Sequence, residues 1–386
     1  YCPTGYAIDQ YRVQEDGTLE PLTPATAPAG PGPYSITFSL DGRFAYAGDD
    51  GDGAIWQYRV KEDGALTPLV PPSVAGGAGI LHQVTLSPDG RFAYMANRDA
   101  NTVAQYRVGT DGALYPLDPP TIPAGDEPVG FFVSPSGRFA YAPGGKATGA
   151  IYQYKVGLSG RLEPLAKPVS TENDLSAGLA FAHAGTCAYV TCWFLVHGRH
   201  YGSVRQYRVL GDGQLVPFST PRISAGIAPF PPEILPSGEF AYVHSRDGIW
   251  QFRITPAGSL QPLSPDHVAL DENVTQMALD PESRAAYVGN WDSGEVQQYH
   301  IGMDGRLTPF SPDTVDLGLS PNTGPIFTDP SGRFAYVGSS RDGKIAEMAI
   351  QKDGSLKVVG TAPSGGGEEI FFLELPQLKN GTSAGR

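Results

Sequence analysis

This chain of 386 residues has little of several things, and each scarcity removes a class of function. It has three cysteines, Cys2, Cys187 and Cys192, with no CxxC pair and no Cys/His metal spacing. That argues against a zinc ribbon or a dithiol redox centre. Cys187 and Cys192 stand five apart on one predicted strand, so their side chains face opposite ways and do not suit a disulfide; both read as small buried fillers. Only 17% of residues are charged, no Lys/Arg cluster exists, and the net charge of -13 repels phosphate backbones. Nucleic acid is thereby disfavoured as a partner. No run is long and apolar enough to span a membrane as a helix. GxSxG, a phosphate-cradling glycine loop and the dinucleotide fingerprint are all missing. The acidic stretch GDDGDGA (Gly48 to Ala54) lacks the D-x-D-x-D-G spacing of a calcium loop and reads as a solvated turn. No metal and no cofactor is indicated.

What the chain does have is punctuation: Gly 49 and Pro 36, the composition of short strands joined by turns. A repeat organises it. QYRV-like tetrads begin at Gln10, Gln57, Gln105, Gln153, Gln206, Gln251, Gln298 and Glu347, spaced 45 to 53 residues apart. Upstream of each lies an FAY-like strand, ending at Tyr46, Tyr94, Tyr141, Tyr189, Tyr242, Tyr287 and Tyr336, with Tyr1 in the same relation to Gln10. Downstream comes LxPL, and before FAY a further apolar strand ends in a turn such as SPDG. Each unit thus has four strands, a to d, joined by tight turns at a–b and c–d. Four antiparallel strands in a period of this length predict an all-β fold, a β-propeller, as a single domain over 1–386. Counting the repeats gives eight blades, with seven as the fallback. The N-terminus supplies strands b, c and d of one blade, and the tail EEIFFLELP (Glu368 to Pro376) is expected to supply its strand a and close the ring.

LSPDGRFAYMANRDANTVAQYRV (Leu86 to Val108) and LDPESRAAYVGNWDSGEVQQYHI (Leu279 to Ile301) resemble the YVTN/lactonase-type propeller repeat. The resemblance implies a propeller fold, typically of seven blades, and places the chain near 6-phosphogluconolactonase-like proteins and carboxymuconate-lactonizing enzymes. It also implies a catalytic histidine at the head of an inner strand, which HQVTLSPDG (His82 to Gly90) matches. The Arg-His pair and the Glu that catalytic members carry in a later repeat have no counterpart in Pro128 to Ala150.

The b–c and d–a loops vary between units while the other turns are uniform, so the loop face is where function is expected. His82, at the head of strand a, suits a general base or a donor to a substrate carbonyl; the bland reading is a polar strand cap. Glu233 lies within strand a, where the other units carry Thr, Phe or Ala, and a carboxylate there needs a partner or a wet channel. Arg98, Arg246 and Arg341, in b–c loops, could hold an anion; the aspartates beside them read as turn builders. Trp291 sits in the corresponding loop NWDS. From Tyr189 to Gln206 the b–c segment takes 17 residues against 9 to 12 elsewhere, adding Trp193, His197, Arg199 and His200 among others. This insert reads as a lid, a ring-binding platform or a docking patch.

Two functions stay open. One is a lactonase-like hydrolase or isomerase acting on a small anionic ring, with His82 and Glu233 as acid and base. The other is a non-catalytic propeller that binds a protein or glycan through the loop face, or assembles with itself. Scarce lysine and many turns lean towards an exported, secreted protein, with the cytoplasm as the alternative. The sequons at Asn273 and Asn380 are weak signals.

Overall fold

A computed structural model describes residues 1–77, 83–144, 149–165, 167–172, 174–196, 199–270, 274–321 and 323–365. Among these residues the strands form eight antiparallel sheets, arranged as the blades of a β-propeller. Blade 2 shows the pattern. Strand a (Pro33–Phe38) pairs with b (Phe44–Asp49), b with c (Ala54–Val60) and c with d (Leu66–Ala75). Blade 1 shows b, c and d only; the tail expected to supply its strand a lies outside the described residues.

The repeat residues form these strands because each has a task between blades. Strand b is buried on both sides, so FAY-like triplets are apolar at consecutive positions rather than alternating. The core divides into eight layers, each shared by two successive blades. One of them packs Cys2 and Leu19 of blade 1 against Phe334 and Tyr336 of blade 8. The described residues thus bring blades 8 and 1 into direct contact.

Hydrogen bonds repeat with the same period. The FAY tyrosine donates its phenol to the c–d turn glycine of the following blade, as Tyr46 does to the Gly112 carbonyl at 2.8 Å and Tyr336 to that of Gly17 at 3.0 Å. Gly112 has φ +84, and a Cβ there would lie 2.0 Å from the Phe44 ring. Glycine is required on both counts. The tetrad glutamine works in two directions. Gln57 Oε1 accepts the Leu114 N–H of the next blade at 2.6 Å, while its Nε2 donates to the Pro71 carbonyl of its own strand d at 3.2 Å.

The structure revises one expectation. The insert is not a loop: strands b (Cys187–Val196) and c (Arg199–Val209) of blade 5 run on as a hairpin. Its upper pairs are Trp193 with Gly202, Phe194 with Tyr201, Leu195 with His200 and Val196 with Arg199. The apolar run Trp193 to Val196 continues the strand instead of breaking it. Cys187 packs on the blade 6 side and Cys192 on the blade 4 side, as their spacing implies, and both are buried thiols.

Candidate functional site

Strand a of each blade edges the central channel. Hydroxyls tie neighbouring inner strands together: Thr37 donates to the Val84 carbonyl and Thr85 to that of Phe131, both at 2.7 Å. In blade 6 this position carries Glu233, directly opposite Tyr242 on strand b. An ionised carboxylate cannot donate as threonine does. Glu233 makes no hydrogen bond or ion pair among the described residues. Burial alone pushes its pKa up to about 7. A carboxyl in this state holds a proton near neutral pH and can give it up.

Glu233 lines a cavity of about 310 Å³ with Gln276, Met277, Phe327 and Thr328. Pro236 and Pro281 of the a–b turns also line it, so it reaches the short-turn side of the ring. Sequence reasoning had placed function on the opposite, loop side. Asp280 contributes a second carboxylate, but Arg284 Nε holds it at 2.6 Å. Glu233 is the one carboxyl in this lining without a cation. Gln276, whose amide can bind a carbonyl or hydroxyl, went unnoticed in the sequence because it is one of several polar residues at strand starts.

The other sequence-derived candidates are spread around the ring. Arg98 in blade 3 is engaged by Glu127, Nη2 to Oε2 at 3.1 Å. Arg246 in blade 6 and Arg341 in blade 8 are exposed. The aspartates beside them build turns: Asp247 accepts the Ser245 hydroxyl at 2.7 Å and the Ile227 N–H at 2.8 Å. Trp291 in blade 7 is 37% exposed. None of these residues lines the Glu233 cavity. His82 and His197 lie outside the described residues; Arg199 and His200 are placed by their backbone, in the hairpin. Asp49 of the acidic stretch is buried and accepts the N–H groups of Gly51 at 2.9 Å and Gly32 and Asp52 at 3.1 Å, which makes it a turn residue.

The hairpin carries a different chemistry. On one face Phe194 and Tyr201 stack at 5.9 Å, and the Arg222 guanidinium lies 3.8 Å from the Phe194 centroid. Beneath them Arg205, 3% exposed, binds Asp174 at 2.9 Å and Glu172 at 3.0 Å. A buried guanidinium pinned by two carboxylates anchors the base of the hairpin.

A second cavity, about 1170 Å³, lies at the seam between blades 8, 1 and 2 and is lined by Tyr1, Tyr11, Phe38 and Phe327. It adjoins the place that the repeat reserves for strand a of blade 1, so no site is assigned to it.

Comparison with known proteins agrees with this architecture. Residues 7–177 match the family model described as "Lactonase, 7-bladed beta-propeller". No curated protein matches the chain. Among solved structures, the Pseudomonas aeruginosa periplasmic gluconolactonase PpgL superposes with a TM-score of 0.61 at 17% identity, covering 84% of this chain and 96% of its own. A putative 6-phosphogluconolactonase from Bacteroides fragilis gives 0.59 at 16% identity, covering 89% and 96%. Saccharomyces cerevisiae Sqt1 gives 0.63 at 12% identity, covering 94% and 89%. At these identities the structural likenesses speak for the fold. The eight blades found here depart from the seven in the family's description.

Proposed function

We propose that this β-propeller, whose residues 7–177 match the lactonase family model, hydrolyses or isomerises a small lactone-type ring, with Glu233 as the proton donor. The observation that carries this reading is the position of Glu233: a channel carboxyl with a pKa of about 7, on a cavity of about 310 Å³ and without a cation. Such a group can protonate the ring oxygen as the acyl–oxygen bond breaks. The cavity is at the small end of the range for ligand sites and suits a single ring. In the sequence-based reading His82 activates the water and exposed arginines such as Arg246 and Arg341 attract the substrate's negative charge. The name of the Pseudomonas relative favours an extracytoplasmic setting.

The test is turnover of a panel of aldonolactones, with Glu233→Gln beside the unmodified protein. The reading requires turnover above the spontaneous rate and a loss of roughly 100-fold or more in the variant. Lack of turnover on every lactone would sink it. The second reading, binding of a glycan or protein, draws on the hairpin. Tyr201 is 42% and Leu195 61% exposed beside Arg222 and Phe194, and aromatic rings with a guanidinium form such surfaces. Replacing residues 193–201 by a short turn should then abolish binding on a glycan array while leaving the fold intact.

A further inference from the structure

Blade 6 holds a second titratable group on the face that carries Glu233. His244 lies on strand b, two residues beyond Tyr242, which stands opposite Glu233. Side chains two apart on a strand share a face, and diagonal neighbours across a ladder have Cβ atoms within roughly 7–8 Å. This register sets the Cβ atoms of Glu233 and His244 roughly 7–8 Å apart on one face, with His244 just outside the lining of the Glu233 cavity.

His244 is 1% exposed, and among the described residues neither Nδ1 nor Nε2 has a hydrogen-bond partner. Burying an imidazole unsatisfied costs about 1–3 kcal/mol. The fold does not require it: equivalent strand positions hold Gly48, Ala96, Pro143, Thr191, Gly289 and Gly338. The Phe230 ring stacks on the imidazole at 4.3 Å with 15° between planes, and the Phe230 N–H donates to the His244 carbonyl at 3.0 Å. Phe230 is itself 37% exposed and follows Pro229 and Ala228, whose φ of 49 is in the left-handed region. It stands at the head of strand a, the place His82 holds in its own unit.

We propose that His244 is the general base of this site, paired with Glu233 and covered by Phe230, which swings aside to join the imidazole to the Glu233 cavity. The inference rests on the lactonase reading. In the step it implies, water attacks the lactone carbonyl and passes a proton to a ring nitrogen of His244. The new C–O bond forms as the acyl–oxygen bond of the ring breaks, and the departing oxygen takes the proton of Glu233. The hydroxy acid ionises on release, and transfer of the proton from the imidazolium to Glu233 restores both groups. Because the imidazole is neutral under its cover, it is basic as soon as Phe230 moves.

The experiment uses the full chain with two independent readouts. The first is carbethoxylation by diethyl pyrocarbonate, mapped by mass spectrometry. His244 should react far more slowly than exposed His183, and Phe230→Ala should raise its rate at least tenfold with an unchanged circular dichroism spectrum. Phe230→Leu serves if the alanine variant unfolds. The second is gluconolactone hydrolysis. His244→Ala, the residue blade 3 already carries at this position, should lower kcat roughly 100-fold or more, and added imidazole should restore part of it. His244→Gly, as in blades 2 and 7, is the alternative. Unchanged labelling in a folded Phe230 variant overturns the cover. Wild-type kcat in folded His244→Ala, or a loss that imidazole does not rescue, overturns the base. If the unmodified protein turns over no lactone, the lactonase reading and the base fall together, and the labelling result still decides whether Phe230 covers His244.

Discussion

The backbone N–H of Leu19 donates to the Glu347 carboxylate at 2.6 Å, although the two residues lie 328 positions apart. In the other seven blades a glutamine fills this role, and its amide also donates to strand d of its own blade, as Gln206 does to the Thr220 carbonyl at 2.6 Å. Glu347 has no proton to donate when ionised, and burial raises its pKa. Glu347→Gln supplies an amide donor beside Gly360 of strand d, where the carboxylate now stands, and should stabilise the protein by about 1 kcal/mol. A raised carboxyl pKa means stability that falls as pH climbs from the ordinary glutamate value to the raised one. The gain should therefore be larger at pH 8 than at pH 5 in urea denaturation. A variant less stable than the parent at pH 8 contradicts this account of the seam.

Tyr94 donates to the Gly160 carbonyl at 2.7 Å from a fully buried position. Tyr94→Phe leaves that carbonyl unpaired and should cost about 1–3 kcal/mol. Tyr115, which bonds Asp111 on the surface, is the control: Tyr115→Phe should change stability by less than about 0.5 kcal/mol. Equal effects from the two would show that the cross-blade bonds contribute nothing special.

Glu233 gives a pH signature that needs no substrate. Its pKa moves from 4.5 unfolded to about 7 folded, so the folded state binds the extra proton within this window. Stability is full below pH 4.5 and falls as pH rises to 7, by about 3 kcal/mol at most. Glu233→Gln removes this loss, so it should match the parent near pH 4 and exceed it at pH 8. Denaturation curves that stay parallel across this range would place Glu233 in a more solvated setting.

His244 acts in the opposite sense. Burial pushes its pKa down to about 3 from 6.5, so the unfolded chain binds a proton that the folded one refuses. Its contribution is complete above pH 6.5 and is lost as pH falls towards 3. Glu233 shares this face and its slope opposes that of His244, so the measurement belongs in a Glu233→Gln background; Tyr242, the other titratable neighbour there, stays protonated throughout. There, His244→Ala should flatten the stability profile between pH 4 and 6.5.

Asp174 holds the buried Arg205 guanidinium through Nε at 3.2 Å and Nη2 at 2.9 Å. Asp174→Ala strands that charge and should cost about 3–5 kcal/mol. Loosening of the hairpin should appear as faster amide exchange in residues 190–204. A loss under about 1 kcal/mol would mean that Glu172 alone suffices.

The propeller was legible because its repeated residues are the ones that join blades. Tyr, Gln and LxPL recur at a fixed period since each must meet its counterpart in the next unit. The site was harder to read. Glu233 stood out as a carboxyl on an inner strand, but loop variability pointed to the loop side, and the lining by Pro236 and Pro281 follows only from three-dimensional placement. His244, the base proposed above, drew no notice because the repeat was compared along strand a, whereas this residue sits on strand b, where other blades carry Gly, Ala, Pro or Thr. The insert was read as a loop from its length. Its run of Trp193, Phe194, Leu195 and Val196 is the strand signal that length obscured.

The glutamine clasp is wholly local: each blade grips its successor and none measures the circle. The clasp itself therefore does not encode the number of blades. Duplicating one whole repeat brings its own Gln and its own LxPL, so the clasp can be extended without a new hydrogen-bond partner being devised. Such a chain can match a seven-bladed description over its first half and still close at eight.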